Sequence, residues 1–288
     1  MVYRSGKMSS HLKRRKLAII AIAMMIIMLL LPSPYAVEMP GPTQDVLGTV
    51  SSTSKVSMID VSGMRTYKNS GELHMVSVSA TGVPGYYTPT AVALWAWFNP
   101  HMAVLPQEAV YSINQSASDY DEEGSQQMTT AQDTASVFAK KYLKDTLRIN
   151  ADRATVTMHI DDIGGPSAGM MYTLGTISKL TPTDEVRGKI IAGTGTISRD
   201  GKVGAIGGIQ LKMIGARRDG ARYFLAPQSN CSEVVGHVPQ GLKVDAVANI
   251  DHAYKALVAI GQGRTSGLQP CSASSVKNTA NSSAHTTH

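Results

Sequence analysis

The sequence predicts an α+β fold, on three observations. Residues 73–81 alternate apolar and polar side chains as a half-buried strand does, while Ala131, Ala135, Phe138 and Tyr142 recur at helical spacing. The Asp200-Gly201 pair between two apolar runs marks a tight hairpin, and hence antiparallel pairing. Strands and helices are mixed along the chain instead of segregated into an all-α or all-β pattern. At 288 residues the chain is long enough for one or two domains with a sizeable core. An apolar fraction of 43% and a charged fraction of 17% exclude wholly disordered, collagen-like and polytopic membrane proteins.

The first element is a basic stub, 1–16, carrying Arg4, Lys7, Lys13, Arg14, Arg15 and Lys16 with no acid before Glu38. The chain has 27 Lys and Arg against 21 Asp and Glu, a formal net charge of +6, and those six residues account for the whole excess. A positive balance ordinarily raises a nucleic-acid partner. Its confinement to the stub argues against nucleic acid and reads as a topology signal. Next comes an unbroken apolar run of 15 residues, 17–31. That length lies between a signal-peptide core and a membrane span of about 20 residues. Extended through Pro32 to Val37, it is expected to be a transmembrane anchor over 17–37. Cleavage as a signal peptide is the alternative, although Pro34-Tyr35-Ala36 is a poor cleavage site. The positive-inside rule then predicts a single-pass protein of the cell membrane, N-terminus cytoplasmic and everything after Val37 outside.

Residues 38–150 are expected to form an extracytoplasmic N-terminal region. It opens on a linker or irregular collar, 38–63, with Pro40-Gly41-Pro42 and many Ser and Thr. The strand 73–81 follows, then a short helix over 91–98, an exposed polar loop over 114–127 and a helix over 130–147. A second region, 151–263, has a strand at 154–160, a Gly-rich turn and a helix over 167–180. A strand at 189–198 leads through the hairpin to its return at 203–206, then a helix over 209–218. A short strand at 223–225, a helix at 232–235, a strand at 242–247 and a helix at 251–260 complete it. Residues 264–288 have the Ser, Thr, Asn and Gly composition of a disordered tail. The only cysteines are Cys231 and Cys271. In an oxidising compartment such a pair is expected to be bridged, two unrelated thiols being the alternative. No His or Cys cluster has metal-ligand spacing, so no metal is expected.

Three places can carry chemistry. In Gly165-Pro-Ser-Ala-Gly169, small residues let the chain turn sharply into a helix. Ser167 stands where free backbone N–H groups favour a developing oxyanion. The same serine also reads as an N-cap in a Gly-Pro turn. A serine nucleophile needs a base. His159, close to Asp161 and Asp162, keeps a Ser-His-Asp site open. Lys212 is the other candidate: it lies beside the apolar stripe of Ile209, Met213 and Ala216, and a lysine drawn toward a core tends to the neutral amine. On its own it reads first as a snorkelling lysine or a partner of Asp219. Thr194, in Gly193-Thr-Gly-Thr-Ile197, carries a hydroxyl able to orient a lysine ammonium, or is simply a β-favouring residue near a bulge. Ser52-Thr-Ser-Lys55 has S-x-x-K spacing but lacks a K-T-G partner and reads as chance.

Taken in order, G-P-S-A-G at 165–169, G-T-G-T-I at 193–197, D-G-K-V-G-A-I-G-G-I at 200–209 and Lys212 resemble the proteolytic domain of Lon-type serine proteases. The resemblance runs from about residue 154 to 260. It implies a Lon proteolytic fold and a dyad of Ser167 as nucleophile and Lys212 as base, supported by Thr194. The oxyanion hole would come from the backbone of Gly165, Ser167 and Ala168. An acidic residue usually precedes the G-P-S-A-G motif in the family, and here that position is Gly164. No G-x-x-x-x-G-K-[ST] phosphate loop is present, so no nucleotide and no other cofactor is implied. With the anchor, the chain resembles the membrane-anchored, ATP-independent Lon-domain proteins of bacteria, in a version without their PDZ domain. The implied partner is a peptide or protein substrate, and the family's rings imply a homo-oligomer. The function implied is a serine endopeptidase of the cell envelope. A catalytically silent envelope scaffold that kept the fold is the alternative.

Overall fold

The structure is a computed structural model and describes residues 5–50, 53–112, 114–159 and 165–272, with side chains from residue 14 onward. In chain order the elements are α1 (Ser5–Leu30), β1 (Tyr35–Asp45), β2 (Ile59–Ser62), β3 (Glu72–Thr81), α2 (Thr90–Trp97) and β4 (Ala103–Pro106). Then come α3 (Ala117–Asp145), β5 (Thr155–Met158), a 3₁₀ turn (Pro166–Ala168), α4 (Gly169–Leu180), β6 (Ile190–Gly193) and β7 (Thr196–Ile197). The chain finishes with β8 (Val203–Gly204), α5 (Ile209–Arg218), β9 (Tyr223–Pro227), α6 (Cys231–Val234), β10 (Lys243–Val247) and α7 (Ile250–Gly261). It divides into two compact units, Met1–Met39 with Ala80–Ala117, and Pro40–Ser79 with Ser118–His288.

In the smaller unit β1 pairs antiparallel with β4, from Tyr35 opposite Pro106 to Glu38 opposite Ala103. Val37, Ala93 and Ala96 make its small core. Here the expected anchor is overturned: no helix among the described residues is long and apolar enough to cross a membrane. Fifteen apolar residues at about 1.5 Å each reach about 22 Å, short of a hydrocarbon layer of about 30 Å. The extension through Val37 does not lengthen the span, because α1 stops at Leu30 and the chain is already in β1 from Tyr35. The transmembrane segment over 17–37, the membrane partner and the single-pass topology with an external catalytic domain therefore lose their support.

In the larger unit the strand order is β10-β9-β6-β3-β1. β10, β9, β6 and β3 run parallel, with Glu72 opposite Ile190, Ile191 opposite Tyr223 and Lys243 opposite Tyr223. Alternation along these strands sends Leu73, Ile191 and Leu225 to one face and Val76, Ala192 and Phe224 to the other. The first set packs on α3, α4 and α7; the second packs on Ile209, Met213 and Ala216 of α5. Two small antiparallel pairs, β2 with β5 and β7 with β8, complete the unit. The architecture is α+β.

Several expectations change. The expected irregular collar at 38–63 instead contains most of β1 and all of β2, with Val46, Met58 and Ile59 fully buried. The boundary expected at 150 is cut across, because β3 pairs with β6. The loop expected over 114–127 is the start of α3, where Gln126 and Gln127 each donate at 3.1 Å to the glutamate one turn back. The tail is held as far as residue 272: Ala246 N donates to Gln269 O at 2.8 Å and Cys271 is bonded to Cys231. Residues 273–288, Ser52, Asp161, Asp162 and Gly164 lie outside the described residues.

Candidate active site

Local sequence explains how the serine is presented. Gly165 has φ +97°, a left-handed backbone that a side chain would strain, and Pro166 then fixes the first residue of the 3₁₀ turn. Ser167 is the middle residue of that turn, half-buried, immediately before α4. Gly169 opens the helix where an added Cβ would meet Ile197 Cγ2 at 2.6 Å, so glycine lets the helix start close against β7. Thr194 and Gly195 clamp the turn from the other side. Gly195 N donates to Ser167 O at 2.8 Å, Thr194 Oγ1 donates to the same carbonyl at 3.1 Å, and Met170 N donates to Gly195 O at 3.0 Å.

Lys212 arrives on α5. Gly208, in the left-handed region at φ +67°, turns the chain into that helix, and Lys212 N donates to its carbonyl at 3.0 Å. The lysine is 4% exposed and Thr194 is fully buried. Lys212 Nζ lies 3.5 Å from Thr194 Oγ1, at the long limit of a hydrogen bond. The hydroxyl thus touches both sides, donating to the Ser167 carbonyl and facing the ammonium. Among the described residues no hydrogen bond joins Ser167 Oγ directly to Lys212 Nζ. The Thr194 hydroxyl links the lysine to the backbone carbonyl of the serine residue.

The backbone groups around the serine are not equivalent. Gly165 N donates to Gly124 O of α3 at 3.2 Å, so that amide is already engaged. The other base candidate stands at the end of the β2–β5 pair, where His159 N donates to Met58 O at 2.9 Å. Asp219, the alternative partner considered for Lys212, is instead bound to Arg218 and Thr43. Among the described residues no group of three His, Cys, Asp or Glu is placed to hold a metal ion.

Two contributors were not legible in sequence. Gly124 falls in what reads as a polar loop. Asn230, 1% exposed, accepts from Ile206 N at 3.0 Å and donates to Ile206 O at 2.8 Å, fixing the loop that delivers α5 and Lys212. A lone Asn after Pro227 carries no signal of that clamp.

A family model described as the Lon protease (S16) C-terminal proteolytic domain matches residues 129–259, a span that holds Ser167, Thr194 and Lys212. The chain is 38% identical over 117 residues to the Lon protease of Haemophilus influenzae, covering 37% of this chain and 14% of that protein. It is 32% identical over 123 residues to the Lon protease of Ureaplasma parvum serovar 3, covering 40% and 15% respectively. A third match, to the Lon protease of Azospirillum brasilense, is 36% identical over 94 residues, covering 32% and 11%. The chain therefore spans about a seventh of the length of the first two of these relatives. These similarities tie the segment to a Lon-type proteolytic domain and, through it, to the serine-protease superfamily.

Proposed function

We propose that the larger unit is a peptidase in which Ser167 attacks a peptide carbonyl and Lys212 acts as its base. The observation that carries this reading is the hydroxyl of Thr194, which meets both the carbonyl of Ser167 and the amine of a lysine 4% exposed. Burial keeps Lys212 out of bulk water and beside the serine turn, where an amine acting as base has to stand. In the first step the Ser167 Oγ–H proton passes to Nζ as Oγ bonds the carbonyl carbon. The resulting ammonium then protonates the leaving amine as the C–N bond breaks, and water repeats the sequence on the acyl-enzyme. With the Gly165 amide engaged by Gly124, the amides of Ser167 and Ala168 are left to receive the oxyanion. The 3.5 Å separation at Thr194 fits a site that tightens when substrate arrives.

The test is hydrolysis of a denatured protein by the purified chain, followed by gel and mass spectrometry. Ser167→Ala and Lys212→Ala are each expected to lower kcat by about a thousandfold or more, and together no further than singly. Lys212→Arg is expected to be equally inactive, since an arginine stays charged. Cleavage that survives in both single variants overturns the dyad.

A further inference from the structure

α3 carries Asp119, Asp121, Glu122 and Glu123 in its first two turns and Asp133 further on, and no Lys or Arg occurs between Ala117 and Ala139. Its hydrogen bonds draw the amide nitrogens back onto the helix. Gln126 Nε2 donates to Glu122 Oε1 and Gln127 Nε2 to Glu123 Oε1, each at 3.1 Å, while Thr130 Oγ1 donates to Gln126 O at 2.9 Å. Each glutamine amide keeps its oxygen and one N–H, and the net charge of this stretch is negative.

That stretch forms one wall of a groove of about 390 Å³, lined by Glu123, Gln126, Gln127 and Thr130. Its volume lies within the range of about 300–1,000 Å³ common for sites that take small ligands. Opposite stand Pro166 and Ile197. Pro166 is the residue before Ser167, and Ile197 is the residue against which α4, the helix after the serine turn, begins. On the hairpin beyond Ile197, Lys202 is paired with Asp200 at 2.9 Å, and Arg199 is not among the lining residues. The groove thus reaches the residue that precedes Ser167 in the serine turn.

We propose that the groove is a flanking subsite for the substrate peptide and that it selects a basic side chain, lysine or arginine, next to the scissile bond. The proposal rests on Ser167 being the nucleophile, but its binding component does not require turnover. The cation would lie among the carboxylate of Glu123 and the amide oxygens of Gln126 and Gln127, with its methylene stem along Pro166 and Ile197. Because the wall is open to solvent, the selectivity is modest and sensitive to salt.

The experiment compares two fluorescent peptides that differ only in having Arg or Glu beside the central peptide bond. Their binding to the full chain carrying Ser167→Ala is read by anisotropy, and their cleavage by the wild-type chain by kcat/KM. The Arg peptide is expected to bind about three- to tenfold more tightly at low salt, with the gap closing at high salt. Glu123→Gln is expected to shrink the binding preference and Glu123→Lys to reverse it. Equal binding of the two peptides, or a preference unmoved by Glu123→Lys, overturns the groove. Cleavage by wild type without an Arg preference also overturns it while leaving the dyad intact. An Arg preference in binding with no cleavage of either peptide overturns the dyad and leaves the groove as a binding site.

Discussion

Glu185 is a carboxyl group almost wholly removed from water, 1% exposed, with Tyr254 Oη 3.1 Å from its Oε1. Burial pushes its pKa up to about 7, against the smaller opposing effect of its hydrogen bonds. An unfolded chain would release this proton near pH 4.5, the folded one near pH 7. Between those values the folded state holds the extra proton, so stability falls as pH rises and levels off above pH 7. The full difference is about 3 kcal/mol. Urea unfolding at pH 5 and pH 8 is expected to show wild type losing about 2–3 kcal/mol more than Glu185→Gln over that interval. An equal loss in both proteins would place the pH sensitivity elsewhere. Nothing in the sequence around Asp184-Glu185 distinguishes a buried acid from an exposed one; its burial comes from Tyr254 on a helix far along the chain. The residues of the proposed dyad and its support, Ser167, Thr194 and Lys212, stand out in sequence for the opposite reason. Each sits in a glycine-marked local motif, and three such motifs in order specify more than any one alone.

Elements with a local cause were the most readable. α5 has the bounds its apolar spacing predicts, and the Asp200-Gly201 turn places β7 against β8 as the hairpin signal requires. Elements whose identity depends on distant partners were not. Residues 38–63 carry the Pro, Gly and Ser of a linker, yet β1 and β2 exist because β4 and β5 lie beside them. The polar start of α3 is helical because it continues a helix anchored by Ala131, Ala135 and Ala139 in the core. At this scale the closest coupling of packing to chemistry is the start of α4 against β7. Gly169→Ala adds a methyl group 2.6 Å from Ile197 Cγ2 and 3.2 Å from Ile197 N. A gain in helix propensity of about 1 kcal/mol offsets part of an overpacking cost of about 1–3 kcal/mol. Stability is therefore expected to drop by no more than about 2 kcal/mol while kcat falls much further, because the turn before α4 shifts away from Thr194. Parallel loss of urea midpoint and activity would instead mark Gly169 as a folding residue only.

At the scale of the whole molecule, the Cys231–Cys271 bond closes a loop with a sequence separation of 40. It holds residues 265–272 to the larger unit, where Gln269 pairs with Ala246 beside β10. Closing a loop of that length is worth about 4 kcal/mol through the unfolded chain alone. Cys231→Ser with Cys271→Ser, or full reduction, is expected to lower the unfolding free energy by about 2–4 kcal/mol, read as a lower urea midpoint. An unchanged midpoint would show that the segment beside β10 holds without its covalent tie.

The parallel pairing of β3 with β6 has a consequence during translation. Glu72 leaves the ribosome long before Ile190, its neighbour in the sheet, has been made. Ser167 likewise emerges ahead of both Thr194 and Lys212. A nascent chain therefore carries the proposed nucleophile without its base and without the strand that clamps the serine turn. Under the proposed chemistry, growing chains cannot attack one another, and reactivity would begin only after synthesis has passed α5 and the sheet has closed.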